Sequence, residues 1–240
     1  MRAALASPSV TVEHAFITAG DDAALAAAAD AAARGVAVYE VDARTLDSIA
    51  QTRTPQGIVA VARFFHRDIG ELPAAMPTAP AGCLIAVLHH IADPGNAGTL
   101  IRSADALGAS AVACGAAGVD PYNDKVIRST MGAIFALPLF LYQDWQALAA
   151  AAVAAGIALI GAEAEATDVR SVTVPPRAAV VVGHERRGLE GVGASDLFAT
   201  VGIPQRRRTE SLNAGVAGSI VLYEIARATG CLPDGDIRNE

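Results

Sequence analysis

Lysine is almost missing from this chain. Of its 18 basic residues only Lys125 is a lysine, so any recognition of anions falls to arginine. Cysteine is scarce too. Cys83, Cys114 and Cys231 are scattered with no Cys-x-x-Cys, which excludes a disulfide framework or a cysteine metal site and reads as the free thiols of a cytoplasmic protein. No apolar run is long enough to span a membrane. The run nearest to a span, Ala147 to Ala162, is uncharged and apolar or small throughout, but it falls short of the roughly 18–20 residues required and is divided by Gly156. The start, MRAALASPSV, has no apolar core of signal-peptide length. The Gly-x-Gly-x-x-Gly fingerprint of a dinucleotide fold is absent, which argues against a dehydrogenase. No serine sits in a Gly-x-Ser-x-Gly elbow. His89, His90 and His184 have no partner ligands at metal-site spacing, so no metal is expected.

What is present is a chain of 240 residues, 52% hydrophobic, with a net charge of −7. That length suits one large domain or two modest ones. An acidic balance opposes nucleic-acid binding on its face, but distribution matters more than the sum. Arginines cluster at Arg186-Arg187 and Arg206-Arg207-Arg208 while acids crowd elsewhere, so a basic face on an acidic protein is expected.

The chain reads as two α/β parts. Residues 1–67 form a small module. Val12–Thr18, Val36–Val41 and Ile58–Arg63 are strands, an alanine-rich helix starts at Asp21-Asp22, and Asp42 or Thr45 caps a short helix. Residues 68–82 hold Pro73, Pro77 and Pro80 with few apolar anchors and read as a linker. Residues 83–240 then alternate strands and helices. The strands are nearly continuous apolar runs, the pattern of a parallel sheet covered on both faces. Ligands of such sheets bind at the carboxyl ends of strands, which points to the loops after Leu88, Val182 and Ile203.

Each loop is weak evidence alone. Asp93-Pro94-Gly95-Asn96 is an ordinary turn into a helix that Asn96 can cap. Gly183-His184-Glu185-Arg186-Arg187-Gly188 is a glycine-bounded loop. Ser211-Leu212-Asn213 reads as a helix cap with Ser211 at the N-cap, followed by the small residues Ala214, Gly215, Ala217, Gly218 and Ser219. Glycines inside a helix cost about 1 kcal/mol each relative to alanine, so they imply a close approach of backbones.

The ordered set of three is specific. Asp93-Pro94-Gly95-Asn96-Ala97-Gly98-Thr99-Leu100-Ile101-Arg102-Ser103-Ala104, then Gly183-His184-Glu185-Arg186-Arg187-Gly188-Leu189, then Ile203-Pro204 with Glu210-Ser211-Leu212-Asn213, resembles the SpoU (TrmH-type) RNA ribose 2′-O-methyltransferases of the SPOUT superfamily. Lys125 to Ala133, followed by Leu137-Pro138, is also similar to the family, and the resemblance runs over about residues 83–229. The first module, with Thr54-Pro55-Gln56-Gly57-Ile58, resembles the substrate-binding domain found before it in many members.

This resemblance implies a parallel-sheet SPOUT domain with a C-terminal trefoil knot, a homodimer, and S-adenosylmethionine as cofactor. By position, Gly183, Ile203 and Leu212 contact the cofactor. Arg102 acts as the base or, since a guanidinium is a poor base, as a clamp on the neighbouring phosphate. Asn96 orients Arg102 or the ribose, Glu185 and Asn213 fix the loops and Ser211, and Ser211 helps place the target nucleotide. Arg128, Arg186, Arg206, Arg207 and Arg208 are expected at the RNA backbone. The substrate is structured RNA, ribosomal before transfer RNA. The rival reading is a non-catalytic RNA-binding or ribosome-associated protein that kept the fold. The intact Asn96, Arg102, Glu185 and Asn213 argue against it. Two positions depart from the family pattern: His89-His90 stand before the first motif, and His184 stands inside the second.

Overall fold

A computed structural model describes residues 1–50, 56–79, 81–206 and 211–232. The chain forms two compact units, Met1–Phe65 and His66–Glu240. In the first, α1 (Arg2–Ala6) precedes β1 (Val12–Ile17), α2 (Asp22–Ala33), β2 (Ala37–Glu40), α3 (Ala43–Ile49) and β3 (Ile58–Ala62). The sheet order is β2-β1-β3, with β2 parallel and β3 antiparallel to β1. Asp21 caps α2 by accepting from the backbone of Ala23 and Ala24, and Asp42 caps α3 by accepting from Thr45. Helix α2 packs on β1 and β2 through Ala24, Ala27, Ala28 and Ala31. On α3 only Leu46 turns inward. Ile49, three residues further on, is exposed.

The second unit contains β4 (Arg67–Asp68), a 3-10 turn (Ile69–Glu71), α4 (Leu72–Ala75), β5 (Cys83–Leu88), α5 (Pro94–Ala106), β6 (Ala111–Gly115), α6 (Asp124–Ser129), β7 (Leu139–Tyr142), α7 (Trp145–Ala154), β8 (Ala158–Asp168), β9 (Arg177–Val182), β10 (Ala199–Gly202) and α8 (Ala214–Thr229). Seven strands lie in the order β10-β8-β9-β5-β6-β7-β4, and every pairing is parallel. All of β5 and β6 is buried, as a parallel sheet with helices on both faces requires.

The segment expected as a linker is folded. Its residues form β4, the 3-10 turn and α4, and Ile69, Leu72 and Met76 are buried in the core of the second unit. Pro73 lies in the first turn of α4, where a missing N–H leaves no bond unmade. Arg177 ties down the following chain by donating to the carbonyls of Pro77 (2.6 Å) and Ala81 (3.2 Å). Proline here starts a helix rather than marking a free linker.

The glycines of α8 are packing residues. A Cβ on Gly218 would stand 2.5 Å from Leu100 Cδ2 and 2.8 Å from Val182 Cγ2. Their absence of side chains lets α8 lie directly on α5 and β9. The contact is sealed by hydroxyls: Ser103 and Ser219 are 2.8 Å apart, and Ser219 donates to the Gly215 carbonyl at 2.6 Å.

Candidate active site

The three singled-out loops follow β5, β9 and β10. Leu88 is in register with Val182, so the first two leave the sheet side by side. Helix α5 begins at Asp93, which accepts from the Asn96 amide N–H at 2.8 Å. Asp93 and not Asn96 is therefore the cap. This frees the Asn96 side chain, which is 6% exposed, to donate from Nδ2 to Glu185 Oε1 at 2.9 Å. Glu185 also accepts from the backbone of Asp93 (3.2 Å) and Ala92 (3.4 Å), and its side chain is only 23% exposed. Partial burial works to raise its pKa. The hydrogen bonds from Asn96 and the backbone outweigh burial and hold the carboxylate below its usual range.

The second loop is folded tightly on itself. His184 and Gly188 exchange backbone hydrogen bonds of 2.9 and 2.8 Å, and Gly188 adopts φ +57°. Gly183 is buried, and a Cβ there would sit 2.2 Å from the Gly188 carbonyl oxygen. Glycine is thus dictated by the loop's own closure.

The third loop meets the first through α8. Its cap is Asn213, whose side chain accepts from Val216 at 3.1 Å, whereas Ser211 is exposed two residues earlier and does not cap. The asparagine wins because its side chain reaches three residues ahead from the position where the helix begins. A Cβ on Gly215 would stand 3.1 Å from Asn96 Oδ1, so α8 starts directly against Asn96. Leu212 and Ile203 are half-buried.

The arginines divide. Arg102 is exposed on α5 and makes no ion pair with the described residues. Arg128 is paired with Asp124 at 2.6 Å, and Arg187 with Glu190 at 3.0 Å. Arg186 is exposed, its backbone N–H donating to His184 Nδ1. Arg206 is exposed, and Arg207, Arg208 and Glu210 lie outside the described residues, as do Thr54 and Pro55. Among the described residues no three His, Cys, Asp or Glu side chains gather as a metal site, and no helix is long and apolar enough to cross a membrane.

Comparison with known proteins gives this geometry its relatives. Residues 2–67 match the model of the RNA 2′-O ribose methyltransferase substrate-binding domain, and residues 83–223 match that of the SpoU rRNA Methylase family. An uncharacterised tRNA/rRNA methyltransferase of Synechocystis is 32% identical over 196 residues, covering 81% of this chain and 69% of its own. The 23S rRNA (guanosine(2553)-2′-O)-methyltransferase of Bacillus subtilis is 27% identical over 192 residues, with 80% and 73% covered. The AdoMet-bound rRNA methyltransferase of Sinorhizobium meliloti superposes with a TM-score of 0.79 at 26% identity, covering 95% of this chain and 85% of that one. With its sheet, its three loops and both family models in agreement, the chain belongs to the SpoU rRNA methylase family.

Proposed function

We propose that this protein transfers a methyl group from S-adenosylmethionine to a ribose 2′-hydroxyl of structured RNA, ribosomal before transfer RNA. The observation that carries the reading is the Glu185–Asn96 bridge, which locks the first and second motif loops together where α8 brings up the third. The B. subtilis relative, named for a 23S rRNA 2′-O position, supports the reaction and the RNA class.

The residues suit the cofactor. Gly183 lends backbone only, while Ile203 and Leu212 offer half-buried apolar side chains beside backbone amides and carbonyls, the donor set that an adenine edge and face need. When bound, S-adenosylmethionine supplies a methyl group on a sulfonium. The chain must then hold the ribose oxygen in line and see its proton removed, and positioning of this kind supplies a large part of such a rate. We assign Arg102 to clamp the phosphate beside the target ribose, since an exposed guanidinium with no ion-pair partner among the described residues is suited to bidentate phosphate binding. The proton passes to phosphate or water as the O–CH3 bond forms. Asn96, held by Glu185, orients Arg102 or the ribose. Asn213 holds the start of α8, and Ser211, exposed beside it, contacts the nucleotide. We assign Arg186 and Arg206, both exposed, to the RNA backbone; Arg207 and Arg208, expected there too, lie outside the described residues. Arg128 joins them only if it leaves Asp124.

We extend the reading to a trefoil-knotted C-terminal path and a homodimer. The position of β10 beyond β8, reached directly from β9, supports the first. Val216, Ile220 and Tyr223, an exposed apolar stripe at 46%, 38% and 46% on α8, support the second. We extend it also to the cytoplasmic location expected from the sequence, which suits a ribosomal RNA substrate.

The test is tritiated methyl transfer to total RNA with mapping of the methylated position. Base modification instead of 2′-O-methylation would overturn the reading, and no binding of S-adenosylmethionine would favour the non-catalytic rival. Arg102→Lys should lower transfer at least about tenfold by losing the bidentate clamp. Near-normal transfer would reject the clamp.

A further inference from the structure

His89 is the first residue beyond β5 and one of the three histidines that depart from the family pattern. It is 1% exposed, and its backbone N–H donates to the Val182 carbonyl at 2.8 Å. Both ring nitrogens are engaged. Nδ1 lies 3.0 Å from the Tyr142 hydroxyl, and Nε2 lies 3.0 Å from the carbonyl oxygen of Glu190, at the far end of the second motif loop. Around the ring, His90 stacks at 3.9 Å between centroids, Tyr142 lies parallel at 6.2 Å, and Trp145 meets it edge-on at 5.5 Å. Trp145 Nε1 in turn donates to Asp196 at 2.7 Å.

The chemistry of the partners settles the proton positions. A carbonyl only accepts, so Nε2 carries the hydrogen. The neutral ring then accepts at Nδ1 from the Tyr142 hydroxyl. Burial raises the Tyr142 pKa and keeps that hydroxyl protonated. Burial lowers the pKa of His89, the Glu190 carbonyl opposing and His90 reinforcing, so the ring stays neutral. The result is a directed chain from the Tyr142 hydroxyl through the imidazole to the Glu190 carbonyl. It runs from the end of β7 to the loop that carries Gly183 and Glu185.

We propose that His89 is a positioning residue for the cofactor loop, latching its Glu190 end to the sheet through Nε2–H while Glu185 latches the other side to Asn96. This rests on the cofactor reading above. Without the latch the loop keeps the Glu185 bonds, its own closure and the packing of Leu189 in the core, and the Glu190 carbonyl loses its tie to the end of β5.

Two measurements test it. Long-range 1H–15N correlation spectra of histidine-labelled wild type, with the His89 signals identified by their loss in His89→Gln, should show the Nε2–H tautomer. An Nδ1–H tautomer overturns the latch, whatever any variant does. Calorimetric titration with S-adenosylmethionine should show His89→Leu binding about tenfold more weakly, the effect of one buried hydrogen bond lost. His89→Gln, whose amide can still donate toward the Glu190 carbonyl, should recover most of that loss. Wild-type affinity in folded His89→Leu, or no recovery in His89→Gln, would reject the role. A wild type that binds no S-adenosylmethionine overturns the cofactor reading itself, and the tautomer result distinguishes the two failures.

Discussion

Consider removing the carboxylate that joins the first two motif loops. Glu185 accepts at 2.9 Å from Asn96 Nδ2 and at 3.2 Å from the Asp93 amide through one oxygen, and at 3.4 Å from the Ala92 amide through the other. Hydrogen bonds to a charged group contribute about 1.5–3 kcal/mol each at best, and a buried group left unsatisfied costs about 1–3 kcal/mol. The 3.4 Å contact is weak and the two backbone amides can find water. The buried Asn96 amide cannot readily do so. Glu185→Ala should therefore destabilise the second unit by about 2–3 kcal/mol. Glu185→Gln can place its carbonyl where Oε1 stands and keep both shorter bonds, losing only the long contact and the charge, so it should cost about 1 kcal/mol.

The protein carries its own reporter. Its single tryptophan, Trp145, is buried in the second unit, so urea unfolding followed by its fluorescence reads that unit. The pH dependence has a definite sign. The folded pKa of Glu185 is lowered, so its contribution is full above the unfolded carboxyl value of about 4.3 and is lost as pH falls through the folded value. The stability gap between wild type and Glu185→Gln should thus be present at pH 7 and close in acid. A gap that persists at pH 2–3, or an alanine variant as stable as wild type, would refute the bridge as the element joining the loops.

Three further outcomes follow from packing and burial. A Cβ at Gly98 would stand 1.7 Å from Ser129 Oγ, so Gly98→Ala should cost about 2–3 kcal/mol by overpacking, more than the roughly 1 kcal/mol gained in helix propensity, and Ser129→Gly should recover part of it in urea titrations. Ile220→Glu or Tyr223→Glu on α8 should turn the proposed dimer into a monomer by light scattering, and an unchanged mass would remove α8 from the proposed interface. Burial, reinforced by Asp120, pushes the Cys114 thiol up to about 12, so iodoacetamide at pH 8 should spare Cys114 in the native protein and label it after unfolding.

Much of this protein is legible in its sequence. Near-continuous apolar strands alternating with helices specify a parallel sheet because both of its faces must be buried. Asp21, Asp144 and Gly230 mark helix ends by chemistry that acts within a few residues. The three motifs, read in order, also name the family. What the sequence leaves open lies in choices between equivalent local options. Asp93 and Asn96 both cap helices well, as do Ser211 and Asn213. The choice fell to the residue whose rival was needed elsewhere, or stood too early, once the tertiary fold was made. Pro73 looked like linker because proline breaks most structure. Only the burial of Ile69, Leu72 and Met76 shows that it opens a helix.

Tertiary structure alone decided the partnerships that cross the chain. Glu185 meets Asn96 from 89 residues away, and His89 meets Glu190 from 101. No local periodicity encodes such a meeting. It exists because β5 and β9 lie side by side in the sheet and release their loops at the same end. The composition made such loops necessary, and the order of the strands determined which residues they would bring together.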